Sequence, residues 1–320
     1  MGLLDKLLGR RQPAKRPAGR PLPRSAAGPM RPRPEPKAKN NYILITLDSC
    51  RYDSFMTAAP AVIPKITGGE VERRWSYASW TSPSHFNFLL GLMPHRSPDN
   101  VFASEYYKED FLNYNKRFGT EGMEFAKLVP SLWMPDYLQN ELGYTTHARV
   151  SLPVLNAKTA VNRGFDSFQL MDKHNDMMAM LDTMTFDEER PAFYLLNVGE
   201  THYPFATPDE DPKEWPRISG VHGVFKHLDE QVVGGKLVQE DDAPKFFDQE
   251  KLDQLRERQI NTVRYLDGVF EKLYDMVPKN TFVTVTSDHG ELFGEEGYFG
   301  HGPIMHEKVF EVPFLEAQVR

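Results

Sequence analysis

Short runs of apolar residues alternate along the chain with longer segments in which apolar positions recur at helical spacing. Runs rich in β-branched and aromatic residues predict strands that are buried on both faces. Such strands are predicted at residues 42–47, 145–150, 192–198, 281–286 and 312–315. Helices are predicted at residues 84–92 and 135–142, within 173–184, and at 250–276. This alternation predicts an α/β fold with a mostly parallel central sheet and helices on both faces.

Residues 250–276 show the longest helical pattern of the chain. The apolar stripe consists of Leu252, Leu255, Val263, Leu266, Val269, Phe270 and Leu273. A stripe at this spacing is typical of a helix face that packs on a protein core. Gln259 interrupts the stripe once, and the neighbouring Ile260 is expected to cover part of the gap.

Residues 1–40 differ in composition from the rest of the chain. They contain 11 Lys/Arg and 2 Asp/Glu, although the whole chain has a net charge of −7. Because they are rich in proline and poor in large apolar side chains, they cannot offset the entropy of ordering, and we expect a disordered basic tail. The tail either contacts an anionic membrane or an acidic partner, or it only keeps the protein soluble. Specific recognition of nucleic acid is not expected.

The remaining residues, 41–320, alternate predicted strands and helices and contain no internal repeat, and we expect them to form one α/β domain. Within this domain, residues 203–248 are polar, contain proline and glycine, and lack clear periodicity. Such a segment predicts a long loop insertion. Loops of this kind often select substrates, although packing is an equally simple role.

No segment of the sequence is recognisable as a membrane span or an export signal. No apolar run approaches the roughly 20 residues that a span requires. The leucines near the N-terminus are interrupted by Asp5 and Lys6, and Lys6 also stands where N-myristoylation needs Ser or Thr. The single cysteine, Cys50, excludes an internal disulfide. We therefore expect a cytoplasmic protein, with peripheral membrane association through residues 1–40 as an option.

Polar residues follow directly after two of the predicted strands. Asp48 comes after residues 42–47, and Asp288 and His289 come after residues 281–286 in the segment Ser-Asp-His-Gly-Glu. In an open parallel sheet, ligands bind outside the carboxyl ends of the strands. Carboxylates and an imidazole in such a place suit a divalent cation. Asp48 alone is equally compatible with a helix N-cap.

The segment Trp-Thr-Ser-Pro-Ser-His at residues 80–85 leads into a predicted helix. Pro83 suits the first turn of that helix, which places Thr81 just ahead of its N-terminus. Free N–H groups and the helix macrodipole favour an anion there. A hydroxyl in this place can attack phosphorus or sulfur if a cation lowers its pKa. Ser82 and Ser84 can instead be simple helix caps.

Together these segments resemble the sulfatase-like branch of the alkaline phosphatase superfamily. The resemblance rests on ILITLDSCRYD (43–53), WTSPSH (80–85), NVGETHYPF (197–205), SDHGE (287–291) and GHGPIMHEKVFEVP (300–313), which occur in the family's order. It implies the family's fold over residues 41–316. It also implies that Asp48, Asp288 and His289 bind a divalent cation (Zn, Mn, Ca or Mg), and that Thr81 is the nucleophile and touches that metal.

Further residues receive roles only through this resemblance. His202 matches a position near the leaving group, and His301 matches one that contacts the transferring group or binds a second metal. His85, Glu200 and Arg51 are expected to bind substrate. Simpler explanations stay open: a buried histidine is usually just hydrogen-bonded, a histidine between two glycines can be a turn residue, and the arginine can brace the first loop through an ion pair.

The chain also departs from the family pattern. Sulfatases carry Cys-x-Pro-Ser-Arg, whose cysteine becomes formylglycine, whereas Thr81 cannot form that aldehyde because its β-carbon carries a methyl group. Phosphoryl chemistry is therefore favoured over sulfatase chemistry. Asp48 is followed by Ser49 where many members have a second aspartate, so one metal site is preferred over two. The chain stops soon after residues 312–315, and the C-terminal subdomain is expected to be reduced or absent.

The leading functional prediction is a metal-dependent hydrolase or transferase of phosphate mono- or diesters that works through a covalent phosphothreonine at Thr81. The expected substrate is a small-molecule, lipid or glycan ester of phosphate or sulfate. One alternative is a sulfuric-ester or phosphonate-ester hydrolase that works without formylglycine. Another is a catalytically inactive scaffold or binding protein that keeps the fold.

Overall fold

The protein folds around a central β-sheet. The computed structural model describes residues 33–96, 103–123, 132–215, 249–302 and 304–319. The strands are β1 (Asn41–Leu47), β2 (Glu72–Trp75), β3 (Thr145–Val150), β4 (Ser167–Leu170), β5 (Ala192–Val198), β6 (Thr281–Thr286), β7 (Leu292–Phe293), β8 (Phe299–Gly300) and β9 (Glu311–Gln318). The main sheet has seven strands in the order β2-β9-β6-β1-β5-β3-β4, and β7 pairs with β8 separately. Within the main sheet, strand β9 is antiparallel to its neighbours β2 and β6, whereas the other pairs are parallel.

Helices cover both faces of this sheet. They are α1 (Tyr52–Ala58), α2 (Thr81–Leu89), α3 (Ala103–Phe111), α4 (Asn113–Phe118), α5 (Met134–Leu142), α6 (Met177–Asp182), α7 (Gln249–Met276) and α8 (Glu307–Phe310). Helices α1, α6 and α7 pack on one face, whereas α2, α3, α4 and α5 pack on the other. The predicted α/β class, with a mostly parallel sheet between two helical layers, is confirmed. In the described ranges, none of the helices is both long enough and apolar enough to cross a membrane.

Strand β1 shows why the sheet needs two helical layers. All of its residues are buried. Ile43 and Ile45 pack in the cluster that includes α7, whereas Tyr42 and Leu44 pack in the cluster on the opposite face. Each fully buried apolar side chain contributes roughly 1.5–3 kcal/mol relative to an exposed one. The strand must therefore be central, which brings its carboxyl end, at Asp48, to the middle of the sheet.

The central strands lie where the sequence predicts them, to within one residue. The apolar pattern does not predict β2 and β4, because these edge strands are short and partly exposed. Strand β9 is longer than the predicted residues 312–315. Helix α2 begins at Thr81 rather than at residue 84, so the threonine is its first residue and not a neighbour of its N-terminus.

The folded unit begins before the predicted boundary at residue 41. It includes the chain from Pro34 onward. The backbone N–H of Lys37 donates to the carbonyl of Leu142 at 3.2 Å, and that of Lys39 donates to Phe118 at 3.0 Å. These bonds attach the segment to the ends of α5 and α4. Residues 1–32 of the predicted tail, and residues 216–248 of the predicted insertion, lie outside the described residues.

Candidate metal centre and active site

Two carboxylates and one imidazole meet where β1 and β6 end. The strands are parallel neighbours, with Thr46 paired to Thr286, so the residues that follow them emerge side by side. Asp48, Asp288 and His289 each offer a ligand atom, and these atoms lie within 4.8 Å of one another. All three side chains are fully buried. The structure thus brings together the residues that the sequence predicts as metal ligands.

Hydrogen bonds orient Asp48. Its Oδ2 accepts from Nδ2 of Asn197 at 2.7 Å, and its Oδ1 accepts from the hydroxyl of Ser49 at 3.1 Å. Asn197 is itself fixed, because its Oδ1 accepts from the backbone N–H groups of Ser151 and Leu152 at 3.2 Å. Each carboxylate oxygen of Asp48 keeps a further lone pair for a ligand bond.

Asp288 is only partly satisfied. Its Oδ1 accepts from the backbone N–H groups of Ser49 and His289, both at 3.0 Å. Its Oδ2 is buried and has no hydrogen-bond partner among the described residues. Burial raises the pKa of this carboxyl group. A buried, ionisable oxygen without a partner is costly unless an ion fills the adjacent space.

The tautomer of His289 decides which of its ring nitrogens can bind a metal. Its Nδ1 lies 2.9 Å from the carbonyl oxygen of Gly290, which can only accept, so Nδ1 carries the proton. Burial lowers the pKa of His289 to about 3, and the ring is neutral at physiological pH. The lone pair of Nε2 is therefore free to bind a metal. Two carboxylates and a neutral imidazole fit a divalent cation such as Zn²⁺ or Mn²⁺.

Thr81 faces this cluster from the N-terminus of α2. Its hydroxyl oxygen lies 3.3 Å from Nε2 of His289, and the residue is 5% exposed. Trp80 provides the N-cap in an extended conformation and makes no side-chain cap bond. The first N–H groups of α2 therefore remain directed outward near the threonine, where they can bind an anion.

His301 and His202 lie near His289. The ring centroids of His301 and His289 are 4.2 Å apart, and those of His301 and His202 are 5.9 Å apart. Nδ1 of His301 lies 3.1 Å from Oε1 of Glu291. Burial lowers the pKa of His301, but the Glu291 carboxylate outweighs it and raises that pKa to about 9. The pairing with Glu291 thus favours the protonated form of His301 at neutral pH, next to the candidate metal ligands.

His85 lies behind the site and does not face a substrate. It is fully buried one turn along α2. Its Nδ1 is 2.8 Å from the carbonyl oxygen of Thr81, and its Nε2 is 3.2 Å from the hydroxyl of Thr46. Both ring nitrogens are therefore occupied by the protein. The expectation that His85 binds substrate disagrees with this placement, and the residue supports α2 instead.

Arg51 and Glu200 are also placed away from a substrate contact. Arg51 is 3% exposed, pairs with Asp53 through two bonds of 2.6 and 2.7 Å, and reaches Glu295 at 2.5 Å. Glu200 is fully buried, and its Oε1 accepts from the backbone N–H of Met177 at the start of α6. Ion pairs engage Arg51, and one oxygen of the buried Glu200 bonds to the start of α6, so the placement of these side chains does not support the predicted substrate contacts.

Three supporting residues are missed by the sequence prediction. Asn197 holds Asp48, and Glu291 holds His301. Gln259 donates to the carbonyl oxygens of Ser49 and Thr201, at 2.9 and 3.1 Å, and so ties two site loops to α7. The signal for Gln259 is present in the sequence, since an amide inside an apolar stripe must find buried partners. The other two have no such signal.

A comparison with protein-family models identifies the family of this chain. The family model described as "Sulfatase" matches residues 40–317 of this chain. The chain belongs to the sulfatase family. A search of curated proteins found no match. Membership in this family agrees with the resemblance read from the sequence motifs.

Solved structures share the fold at low identity. The C-terminal periplasmic domain of EcEptC from Escherichia coli, in complex with Zn, is 12% identical, with 90% of this chain and 76% of that chain covered and a TM-score of 0.51. BT1596, a 2-O GAG sulfatase, is 13% identical, with coverage of 88% and 65% and a TM-score of 0.51. The phosphoglycerol transferase GacH from Streptococcus pyogenes is 14% identical, with coverage of 89% and 70% and a TM-score of 0.46.

The predicted cytoplasmic location is wrong. The finding against it is that the structurally similar EcEptC domain is periplasmic. Cys50 could not have decided this question, because a lone cysteine cannot form an intramolecular disulfide in any compartment. The family match supports an enzyme that acts on phosphate or sulfate esters.

Proposed function

We propose that this protein is a metal-dependent hydrolase or transferase of phosphate mono- or diesters, and that Thr81 forms the covalent intermediate. The observation that carries the proposal is the position of the Thr81 hydroxyl. It lies at the start of a helix, 3.3 Å from a neutral imidazole nitrogen that belongs to the Asp48, Asp288 and His289 cluster. Nucleophile, anion-binding N–H groups and metal ligands therefore converge on one point.

The residues of the site have complementary roles in this proposal. Asp48, Asp288 and His289 would hold the cation, which supplies a Lewis acid that lowers the pKa of a nearby hydroxyl and offsets negative charge. The Thr81 hydroxyl loses its proton to solvent, and its oxygen forms a bond to phosphorus as the ester P–O bond breaks. The positive ring of His301 attracts the phosphoryl oxygens, and His202 donates a proton to the departing alcohol.

The second half of the reaction regenerates Thr81. Water, or the hydroxyl of an acceptor alcohol, attacks the phosphothreonine and gives its proton to His202, which lost one in the first half. The Thr81 oxygen leaves and takes up a proton from solvent. The incoming oxygen decides whether the protein is a hydrolase or a transferase. EcEptC carries Zn, and Zn²⁺ and Mn²⁺ are accordingly the first ions to test.

Phosphate is favoured over sulfate because the nucleophile is a threonine. The β-carbon of Thr81 carries a methyl group, so the residue cannot be oxidised to the formylglycine of ordinary sulfatases. Sulfate and phosphate esters have similar shapes, and the geometry of the cluster suits both. Rates on matched aryl phosphate monoester, diester, phosphonate and sulfate substrates separate the two chemistries.

Intact mass spectrometry tests the covalent step. Wild-type protein with Mn²⁺ or Zn²⁺ and an aryl phosphate ester should show an adduct that maps to Thr81. Thr81→Ala should lose the adduct and at least about a thousandfold of the turnover. Thr81→Ser should retain both, since it keeps the hydroxyl.

The matched control is Ser82→Ala, which removes a hydroxyl from the neighbouring residue. It should keep the adduct and turn over substrate like the wild type. Full turnover by Thr81→Ala would refute the proposal. Absence of stoichiometric metal in the purified protein, together with no turnover, would instead favour the inactive scaffold.

A further inference from the structure

A second concave surface lies at the opposite end of the sheet from the metal centre. A cavity of about 910 Å³ lies between the residues before β2, the last turns of α7 and the second half of β9. Because β9 is antiparallel to β6, its residue Gln318 pairs with Phe282 at the start of β6. Asp288, by contrast, follows the far end of that strand. The cavity, here named the β9 groove, is lined by Ile66, Glu70, Glu271, Tyr274, Asp275 and Glu316.

One edge of β9 is open along this groove. Strand β2 pairs only with the first half of β9, from Glu311 to Phe314. On its other side, β9 pairs with β6 as far as Gln318. Among the residues that the structure describes, the second half of β9 is therefore an edge strand, whereas the first half is a central one. An open edge offers backbone groups to another strand.

The hydrogen-bond pattern shows which groups the open edge presents. Ser76 donates to the carbonyl of Phe310 on the β2 side, whereas Val319 donates to Thr281 on the β6 side. Because backbone groups alternate along an antiparallel strand, Glu316 and Gln318 direct their N–H and C=O groups toward the groove. Within the described residues, these groups have no backbone partner there.

The chain before β2 turns away instead of covering this edge. Continuing the ladder past Glu72 would place Glu70 opposite Glu316. The carbonyl of Glu70 instead accepts from the hydroxyl of Thr67 at 2.6 Å. Gly68 and Gly69 both have positive φ, at 74° and 97°, and allow the turn that precedes it. The groove is thus built with space for one more strand.

The charge of the groove selects the occupant. Glu70, Glu271 and Asp275 are exposed and have no ion pair in the described part of the chain, whereas Glu316 is already paired with Arg117 at 2.8 Å. The only basic side chain in the described lining is Lys65. An excess of unpaired carboxylates attracts a cationic segment and repels a second copy of the same edge.

We propose that the β9 groove binds an extended segment of a partner protein in which lysine or arginine alternates with apolar residues. The segment adds as a strand beside β9 and bonds to the backbone of Glu316 and Gln318. Its basic side chains face Glu271 and Asp275 on the α7 side of the sheet, and the apolar side chains that alternate with them point to the opposite face, on the side of Phe314. Backbone pairing with alternate side-chain pockets is the general form of recognition by strand addition.

A synthetic peptide tests the proposal on the full chain. The probe is a fluorescent peptide of about ten residues in which Lys and Val alternate, and anisotropy measures its binding. Binding should weaken at high salt and should fall by about tenfold in the double variant Glu271→Lys, Asp275→Lys. The matched control is Glu188→Lys with Glu189→Lys, which changes the net charge equally in an exposed loop outside the groove.

A second peptide separates strand addition from charge attraction alone. This peptide carries methyl groups on alternate backbone nitrogens, which keeps its charge and removes the hydrogen bonds to β9. It should bind at least about tenfold more weakly than the unmethylated peptide. Equal binding of both peptides would overturn the proposal. A loss of binding in the control variant as large as that in the groove variant would overturn it as well. No binding by the wild type would overturn it too. A dimer that sedimentation detects, and that the groove variant abolishes, would show that a second copy occupies the edge.

Discussion

Replacing Asp288 by asparagine is expected to stabilise the metal-free protein. In the metal-free site, Oδ2 of Asp288 is buried without a hydrogen-bond partner, 3.4 Å from Nε2 of His289. Asparagine keeps the shape and its Oδ1 can still accept from Ser49 and His289. Its Nδ2 can donate to the unprotonated Nε2 of His289. Leaving a buried polar group unsatisfied costs about 1–3 kcal/mol, and the variant should gain a free energy of unfolding of that order.

Metal should reverse this order of stabilities. A ligand at one hundred times its Kd stabilises the folded state by about 2.7 kcal/mol. Wild-type protein should gain this amount with Mn²⁺, whereas Asp288→Asn should gain little because one of the carboxylate ligands is lost. The variant is then the more stable protein in EDTA and the less stable one with metal.

Urea denaturation in EDTA and in Mn²⁺ measures both effects. The control is Asp182→Asn, whose side chain is 65% exposed, and it should respond to metal like the wild type. A variant less stable than the wild type in EDTA would show that the carboxylate of Asp288 is well satisfied without an ion. An undiminished metal response would show that the ion binds elsewhere. Either result would refute the reasoning.

Two further predictions concern residues beside the cluster. Burial raises the pKa of Glu200 from 4.5 to about 7. Between these two pH values the folded state binds more protons than the unfolded state. The free energy of unfolding should therefore fall by about 3 kcal/mol as the pH rises from about 4.5 to 7. Urea denaturation at a series of pH values should show a smaller fall in the Glu200→Gln variant. Parallel stability curves for the variant and the wild type would contradict this prediction. Asn197→Leu should weaken Mn²⁺ binding by about 10–100-fold in calorimetry, while Asn261→Leu, on the exposed face of α7, should not.

The sequence predicts the fold and the candidate metal ligands for the same physical reason. Strands β1, β5 and β6 are buried on both faces and appear as continuous apolar runs. The polar residues that follow β1 and β6 must then meet at one edge of a parallel sheet. The edge strands β2 and β4 lack this signal, because a short strand with partly exposed faces has a mixed composition.

Side-chain direction is what the sequence does not show. Arg51, His85 and Glu200 all stand beside site residues in the sequence, and each points into the protein instead. The partner decides the direction: Arg51 pairs with Asp53, two residues along, and Glu200 binds the start of α6. Local spacing suggests the first of these partners. The spacing around Glu200 contains no information about its partner, because that contact depends on how α6 packs.

The two aspartates of the cluster have different physical roles. Both oxygens of Asp48 already accept a hydrogen bond, so its position is fixed whether or not an ion is present. Asp288 leaves one oxygen open, and burial raises its pKa. An ion bound at that oxygen removes the free-energy cost of an isolated buried carboxylate. Part of the free energy of metal binding therefore appears as a higher free energy of unfolding. It follows that losing Asp288 should cost more metal affinity than losing Asn197, which only orients its neighbour.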